Sequence, residues 1–482
     1  MAQALVLGGS MAGLLAARTL SDFYDTVTVV ERDDLQKTSV GRRGVPQGRH
    51  IHGLLLRGAH ALEDLLPGIL DELVDGGARV FDGQDLPQLY FCMNGHLAVR
   101  TGASQRIRTY SATRPFLESQ VRRRVRAIPN VTFATNHDVV ELTASPSGAR
   151  ITGARVVDRG SGTQLDVSAA LVVDATGRGS RTPTMLERMG YQHPIEECVT
   201  ADLVYRTQRL RMSPESLNEQ GLVVSPVPGR PTGIALAAAE QDTWMLSAFG
   251  IAGAEPPTDF SELCGFAEEL LPAHVAVALR SAERVGDIVS YRVPCSRWRR
   301  YDKARLPEGL LVVGDAFCSF NPIYGQGMTV AALHALALRD CLSSGTHDLA
   351  RRFFRAAAKP TRNAWRMATG ADLSLPEIAG APTLSTRLFN RYVDRVLAAA
   401  EHDVTAFEQF VLVAWLVDSP LSLLRPSIVW RAAMTHRQRP GPSAGNLPRP
   451  RDSERSSMGS NLRWTSPSAG VDPTAWRPPA SG

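Results

Sequence analysis

The sequence predicts an α/β fold built around a parallel sheet, and three observations carry that prediction. An apolar run, Ala4-Leu5-Val6-Leu7, suits a strand buried on both faces and leads at once into the turn Gly8-Gly9-Ser10-Met11-Ala12-Gly13. A second such run, Leu171-Val172-Val173-Asp174, ends in the polar turn Ala175-Thr176-Gly177. A third, Leu310-Leu311-Val312-Val313, ends in Gly314-Asp315-Ala316, ahead of the turn Asn321-Pro322-Ile323-Tyr324-Gly325-Gln326-Gly327-Met328 that opens a helix. Ligands of open α/β sheets collect where strands enter such turns at their carboxyl ends.

The N-terminal elements form a βαβ unit. Residues 14–20 have a helical pattern, and Val27-Thr28-Val29-Val30 reads as a second parallel strand ending in Glu31. That acid lies 18 residues after Gly13, near the spacing of a ribose-binding carboxylate. Gly8 allows the tight turn, and Gly13 lets the helix pack closely on the strand. The helix start then offers free N–H groups and a partial positive charge to a dinucleotide pyrophosphate. The middle glycine of the usual fingerprint is replaced by Ser10, whose hydroxyl can itself bond a phosphate oxygen.

Further along, residues 80–110 alternate apolar and polar positions between Gly and Pro breaks, which suggests strands. A helix is expected after Pro115, with Arg122, Arg123, Arg124 and Arg126 on a solvated face. Strands follow at Val131-Thr132-Phe133, at residues 139–142 and at residues 151–157, the last two as a hairpin. Residues 199–206, 233–239 and 244–250 read as strands of a mixed sheet suited to walling a substrate chamber. After a helix from Met328 to about residue 342, residues 349–436 read as several helices. Their apolar run at residues 410–416 is expected to pack on the core, with a lid, an interface or a membrane-surface patch as alternatives. From Gln438 onward, eight prolines in 45 residues predict a disordered tail.

Composition narrows the function classes. The chain has 482 residues, 44% hydrophobic and 21% charged, as expected of a globular protein with a large core. No apolar run is long enough to span a bilayer, and a strand beginning by residue 4 leaves no room for a signal peptide. The six cysteines are scattered, with neither a CxxC pair nor a Cys/His cluster, so no metal is expected and a reducing, cytoplasmic setting is. The formal charge is +5, and three of those charges fall in the last 45 residues, so no nucleic-acid partner is expected.

On the glycine turn with Glu31, the middle motif and the Gly314-Asp315 motif, the chain resembles the FAD-dependent monooxygenases of the aromatic-hydroxylase structural class. Residues 3–345 carry that resemblance. Arg43-Gly44-Val45-Pro46-Gln47-Gly48-Arg49-His50-Ile51-His52, Asp174-Ala175-Thr176-Gly177-Arg178-Gly179-Ser180 and the segment from Phe320 to Met328 look more narrowly like the bacterial flavin epoxidases of polyether and polyketide biosynthesis. The resemblance implies a discontinuous Rossmann-like FAD-binding domain (1–80, 111–182 and 301–345). It also implies an inserted mixed β-sheet substrate domain (81–110 and 183–300), a helical region (346–437) and the tail (438–482).

As cofactor-binding residues the resemblance implies Gly8, Ser10, Met11, Ala12, Gly13, Glu31, Arg32, Arg43, Arg114, Val139, Thr176, Gly177, Asp315, Pro322, Gly325, Gly327 and Met328. Asp315 is to accept hydrogen bonds from the ribityl hydroxyls, Pro322 to sit beside the isoalloxazine ring, and Gly325 to Met328 to aim N–H groups at its pyrimidine end. His50 and His52 are the candidate catalytic residues, being in the loop after Pro46-Gln47. The middle motif departs from the Asp-Gly of the hydroxylases, and no second glycine-rich βαβ unit exists for a nicotinamide. Electrons are therefore expected from NAD(P)H or from a partner flavin reductase. The expected reaction inserts one oxygen atom from O2 through a flavin C4a-hydroperoxide, with epoxidation of a lipophilic secondary metabolite in the lead. Aromatic hydroxylation, reduction or dehydrogenation of prenyl double bonds, and a non-enzymatic flavoprotein are the alternatives. Halogenation is disfavoured because the Trp-x-Trp-x-Ile-Pro motif of flavin halogenases is missing.

Overall fold

In a computed structural model, which describes residues 2–35 and 41–435, the apolar runs join in one sheet. Strands β1 (Gln3–Leu7), β2 (Thr26–Val30), β3 (Val131–Ala134), β4 (Leu171–Asp174) and β5 (Leu310–Val312) lie in the order β5-β4-β1-β2-β3. Every neighbouring pair is parallel. Parallel strands need both faces covered, and Leu5, Val6, Val172, Val173 and Leu311 are fully buried. Helices α1 (Met11–Leu20) and α3 (Gly327–Ser343) pack against each other over this sheet. The hairpin expected near residue 146 forms between His137–Ala144 and Ile151–Asp158 and continues into Gln164–Ser168.

Helix α2 (Arg114–Arg126) starts where Thr113 accepts the Phe116 N–H and Pro115 fills the first turn. Its arginines are not simply a solvated face. Arg122 is buried beside Glu118, because α1 and the turn at Pro46–Arg49 pack on this helix. Arg123 and Arg124 pair with Glu72, and Arg126 lies over the Phe133 ring.

A second sheet has seven strands, with Glu283–Val293, Leu203–Arg211, Thr243–Gly250, Thr232–Ala238 and Gly221–Val224 followed by Leu89–Met93 and His96–Leu97. It is antiparallel except where Gly221–Val224 runs parallel to Leu89–Met93. Helices Phe260–Leu270 and Ala273–Ser281 cover one face with a core of their own around Leu236, Leu246 and Leu263. Residues alternate in and out along such strands, so the other face is free to line a chamber.

The C-terminal region contains α4 (Leu349–Asp372), α5 (Leu384–Ala400), α6 (Val404–Ala414) and α7 (Pro426–Thr435). The apolar run at residues 410–416 packs inward as expected: Phe410, Val411, Leu412 and Val413 are buried, most of them in a cluster with Phe81 and Val396. No helix among the described residues is long and apolar enough to cross a membrane. The tail expected from Gln438 onward lies outside the described residues.

Candidate active site

The carboxyl ends of β1 and β4 and the turn after β5 open into one cavity of about 1070 Å³. At Gly8 the backbone adopts φ +103°, and a Cβ there would lie 2.6 Å from the Ala175 carbonyl oxygen. A Cβ on Gly13 would lie 1.8 Å from the Gly8 carbonyl oxygen, so no side chain fits at that helix–strand crossing. Gly13 thus shapes the turn without lining the cavity, whereas Gly8, Ser10, Met11 and Ala12 line it. Ser10 does not cap α1; its hydroxyl donates to Glu118 Oε2 (2.7 Å) and accepts from Arg114 Nη2 (2.9 Å). The first N–H groups of α1 are left uncapped, the arrangement that receives an anion.

Glu31, Arg32, Arg43 and Val139 line the same end. Glu31 accepts from the N–H groups of Gly9 (2.6 Å) and Asp33 (3.0 Å), which fixes its orientation. Arg43 stands exposed at the rim, and its neighbour Arg42 takes the interior place. Arg42 meets Glu118 (2.5 Å) and Glu31 (3.3 Å). Glu118 also faces Arg114 and Arg122, each at 3.3 Å. Burial alone would raise its pKa, but Arg114 and Arg42 hold the carboxylate below the usual range. Sequence reasoning missed Arg42 and Glu118. One signal was available: Arg114, Glu118 and Arg122 stand at i, i+4 spacing on a helix.

The other end of the groove is built from the later turns. Thr176 donates its N–H (2.8 Å) and hydroxyl (2.6 Å) to Asp174, and Gly177 follows at φ +79°. Asp315 turns its carboxylate into the cavity, and no donor among the described residues reaches it. Burial raises its pKa, partly offset by Arg178 and Arg114. The Gly314 N–H donates to His334 Nδ1 (3.1 Å), and His334 Nε2 pairs with Thr361, so a fully buried imidazole on α3 holds this turn. Pro322, Gly325, Gly327 and Met328 complete the wall. Asn321 Nδ2 and the Tyr324 hydroxyl both donate to Asp372 Oδ1 at 2.8 Å, clamping that turn to the end of α4. Helix α3 begins at Gly327 without a side-chain cap, so its first N–H groups face the groove.

This donor and acceptor set fits FAD. One uncapped helix start would meet the pyrophosphate, an unsatisfied carboxylate the ribityl hydroxyls, and a second helix start the ring. Arg114 Nε, buried and without a hydrogen bond among the described residues, would add a donor beside the phosphate end.

Beyond the groove the cavity continues between the seven-stranded sheet and the C-terminal helices. Phe91, Met93 and Phe249 face Phe389, Val393 and Phe410 there. Neither the sheet nor α4–α6 contributes a charged side chain to the lining. His50 and His52 both reach the cavity. His50 pairs with Thr207 (2.7 Å), and His52 Nδ1 donates to the His50 carbonyl (2.9 Å). Burial, with help from Arg49, lowers His50 to about 4; burial and Arg114 lower His52 to about 3. Both are neutral at physiological pH.

A pH dependence of stability follows. Burial lowers His334 as well, to about 3, so three histidines stay neutral in the folded chain where the unfolded chain takes up protons. Their stabilisation is complete above about pH 6.5 and is lost as the pH falls toward 4, at about 1.4 kcal/mol per pH unit for each. Asp372, raised by burial to about 6, works in the opposite direction between its unfolded value and 6, as does Asp315, which burial also raises, and so, above about pH 6.5, does His96, which Asp394 and Glu401 raise against the effect of burial. The three histidines outweigh these groups, so denaturant unfolding at pH 5.5 should show less stability than at pH 7.5. Equal stability at both pH values would refute the neutral, buried state of these rings.

No protein-family model matches the sequence. Protein Rv3254 of Mycobacterium tuberculosis is 38% identical over 441 residues, covering 89% of this chain and 92% of that one. The chain belongs to its family. A kynurenine 3-monooxygenase of Salinispora arenicola is 27% identical over 377 residues, covering 74% and 76%. Among solved structures, the p-nitrophenol 4-monooxygenase PnpA of Pseudomonas putida superposes with a TM-score of 0.62 at 16% identity, over 87% of this chain and 100% of that chain. The fold is therefore that of the FAD-dependent monooxygenases.

Proposed function

We propose that the protein is an FAD-dependent monooxygenase that inserts one oxygen atom from O2 into a lipophilic, uncharged secondary metabolite, with alkene epoxidation as the leading reaction. The observation that carries this reading is the uncharged chamber continuing from the groove that fits FAD. Bound and reduced, FAD supplies an electrophilic oxygen atom from O2; the second atom leaves as water, with electrons from NAD(P)H or a partner flavin reductase. Asp315 would accept hydrogen bonds from the ribityl hydroxyls, and the uncapped start of α3 would face the negative charge that reduction brings to the ring. Apolar walls keep water from the reacting centre. His50 and His52, with pKa values of about 4 and 3, are too weak as bases to activate a substrate near neutral pH, and they serve to accept or donate hydrogen bonds. An alkene needs no base. A cytoplasmic setting is consistent with six free cysteines.

One observation favours a second reading, phenol hydroxylation. Tyr324 lines the cavity and donates to Asp372, whose carboxyl burial raises to about 6, a value suited to taking a proton.

Turnover under heavy-isotope O2, offered lipophilic polyenes and phenols with NAD(P)H and a flavin reductase, tests both. One labelled oxygen atom in an epoxide supports the leading reading, and label on a phenol ring the second. Product formed equally well without O2 overturns both in favour of a reductase or dehydrogenase. Ala237, on the chamber face of the sheet, offers a further check. Ala237→Phe should retain FAD yet lower product formation by about 10–100-fold, because the enlarged side chain displaces the substrate from its reactive position.

A further inference from the structure

The C-terminal helices that wall the chamber also carry an unusual outer face. Thirteen large apolar side chains are exposed among the described residues, and seven of them fall within this short region. Leu384 and Leu388 are on α5, Leu421 and Leu424 on the turn Pro420–Leu424, and Val429, Trp430 and Met434 on α7. Leu421 is 73% exposed and Trp430 61%. These elements adjoin: α7 packs on both α5 and the turn, and the Tyr392 hydroxyl donates to the Leu423 carbonyl (2.5 Å). Phe410 to Val413, the start of the apolar segment most conspicuous in the sequence, are buried.

Cations predominate around this face. Arg387, Arg391 and Arg395 continue the exposed stripe of Leu384 and Leu388 at helical spacing. Arg425 follows Leu424 and is also exposed. Nearby carboxylates are engaged: Asp394 and Glu401 hold His96, Asp403 holds Arg431, and Asp418 holds Arg106 and lies 4.0 Å from Arg425. Residues 419–435 contain no acid.

We propose that this face docks on the surface of an anionic lipid bilayer. A surface that lies in the interface needs apolar side chains that enter the acyl boundary and cations level with the headgroups, which is the composition here. A second copy of the chain is the poorer occupant, since a twofold contact would set the arginine stripe near its own image. The inner sides of the same elements line the chamber through Phe389, Val393 and Leu423. Docking therefore brings the chamber wall against the phase in which a lipophilic substrate dissolves.

Flotation of the full chain with phosphatidylcholine vesicles, with and without phosphatidylglycerol, tests the proposal without any turnover. Binding to the anionic vesicles is expected to be at least ~10-fold tighter than to the neutral ones. Arg387→Gln with Arg391→Gln should weaken it by about 25-fold, roughly 5-fold for each cation lost. Trp430→Ser should weaken binding to both vesicle types while leaving FAD content and the circular dichroism spectrum unchanged. Failure of the full chain to float with anionic vesicles overturns the proposal, as does unaltered binding by the arginine variant. A dimer in light scattering that Trp430→Ser converts to monomer would assign the face to a second copy instead. Because no turnover is read, none of these outcomes touches the oxygenase reading.

Discussion

Asp315→Ala yields a folded protein that emerges from gel filtration without FAD. The substitution removes an acceptor that already faces the cavity and takes no donor from the protein itself, so the apo fold loses little. Relieving a carboxylate whose pKa burial raises should even stabilise the apo protein slightly. The holo protein loses hydrogen bonds to a charged acceptor, worth about 1.5–3 kcal/mol each, and affinity for FAD should fall ~100-fold or more. Asp315→Asn, which keeps one acceptor oxygen without the charge, should fall between the two. Titration of apo protein with FAD, followed by flavin fluorescence, reads all three affinities. Unchanged affinity in Asp315→Ala would sink the placement of the ribityl chain and, with it, the direction of the cofactor in the groove.

Glu118→Ala should instead destabilise the chain before any cofactor is considered. Its carboxylate is buried and meets three guanidinium groups, those of Arg42, Arg114 and Arg122, together with the Ser10 hydroxyl. Removing one member of a buried ion pair costs about 3–5 kcal/mol, because the remaining charge is stranded. Here Arg114 and Arg122 are stranded together, while Arg42 keeps Glu31 at 3.3 Å and Asp33 at 3.5 Å. Glu118→Gln keeps the shape and hydrogen-bonding capacity without the charge and should recover only part of the loss. Added inorganic pyrophosphate or FAD should raise the melting temperature of Glu118→Ala by more than that of the parent, since an anion at the start of α1 takes over the lost neutralisation. An equal rise in both proteins would show that the arginines do not face the phosphate site.

The contrast between these two residues explains what the sequence disclosed. Asp315 is legible because its chemistry is local: a buried strand, a sharp turn and a helix start lie within twenty residues. The same holds for Gly8 to Gly13 and for Glu31. Glu118 pairs with Arg42 across 76 residues, and Asp372 clamps Asn321 across 51, so neither partnership leaves a periodicity to read. Arg43 lines the cavity as the loop motif implies, whereas the ion pairs of the adjacent Arg42 depend on the packing of the loop on α2, which local sequence does not encode. Arg122 was expected on a solvated face because helical spacing cannot tell which neighbour will cover it. The chamber was anticipated from the strand region alone, while half of its wall comes from helices that the sequence marked only as apolar.

One feature of the parallel sheet bears on how the protein is made. Its first strand is central, flanked by strands from residues 26–30 and 171–174, and the sheet is completed by Leu310–Val312. At synthesis rates of about 5–20 residues per second, the ribosome needs roughly 15–60 s to deliver that last strand after the first has emerged. Throughout that interval the nascent chain exposes apolar strand edges and cannot form Asp315's half of the cofactor groove. The groove that fits FAD is thus complete only once the chain has been made past residue 328.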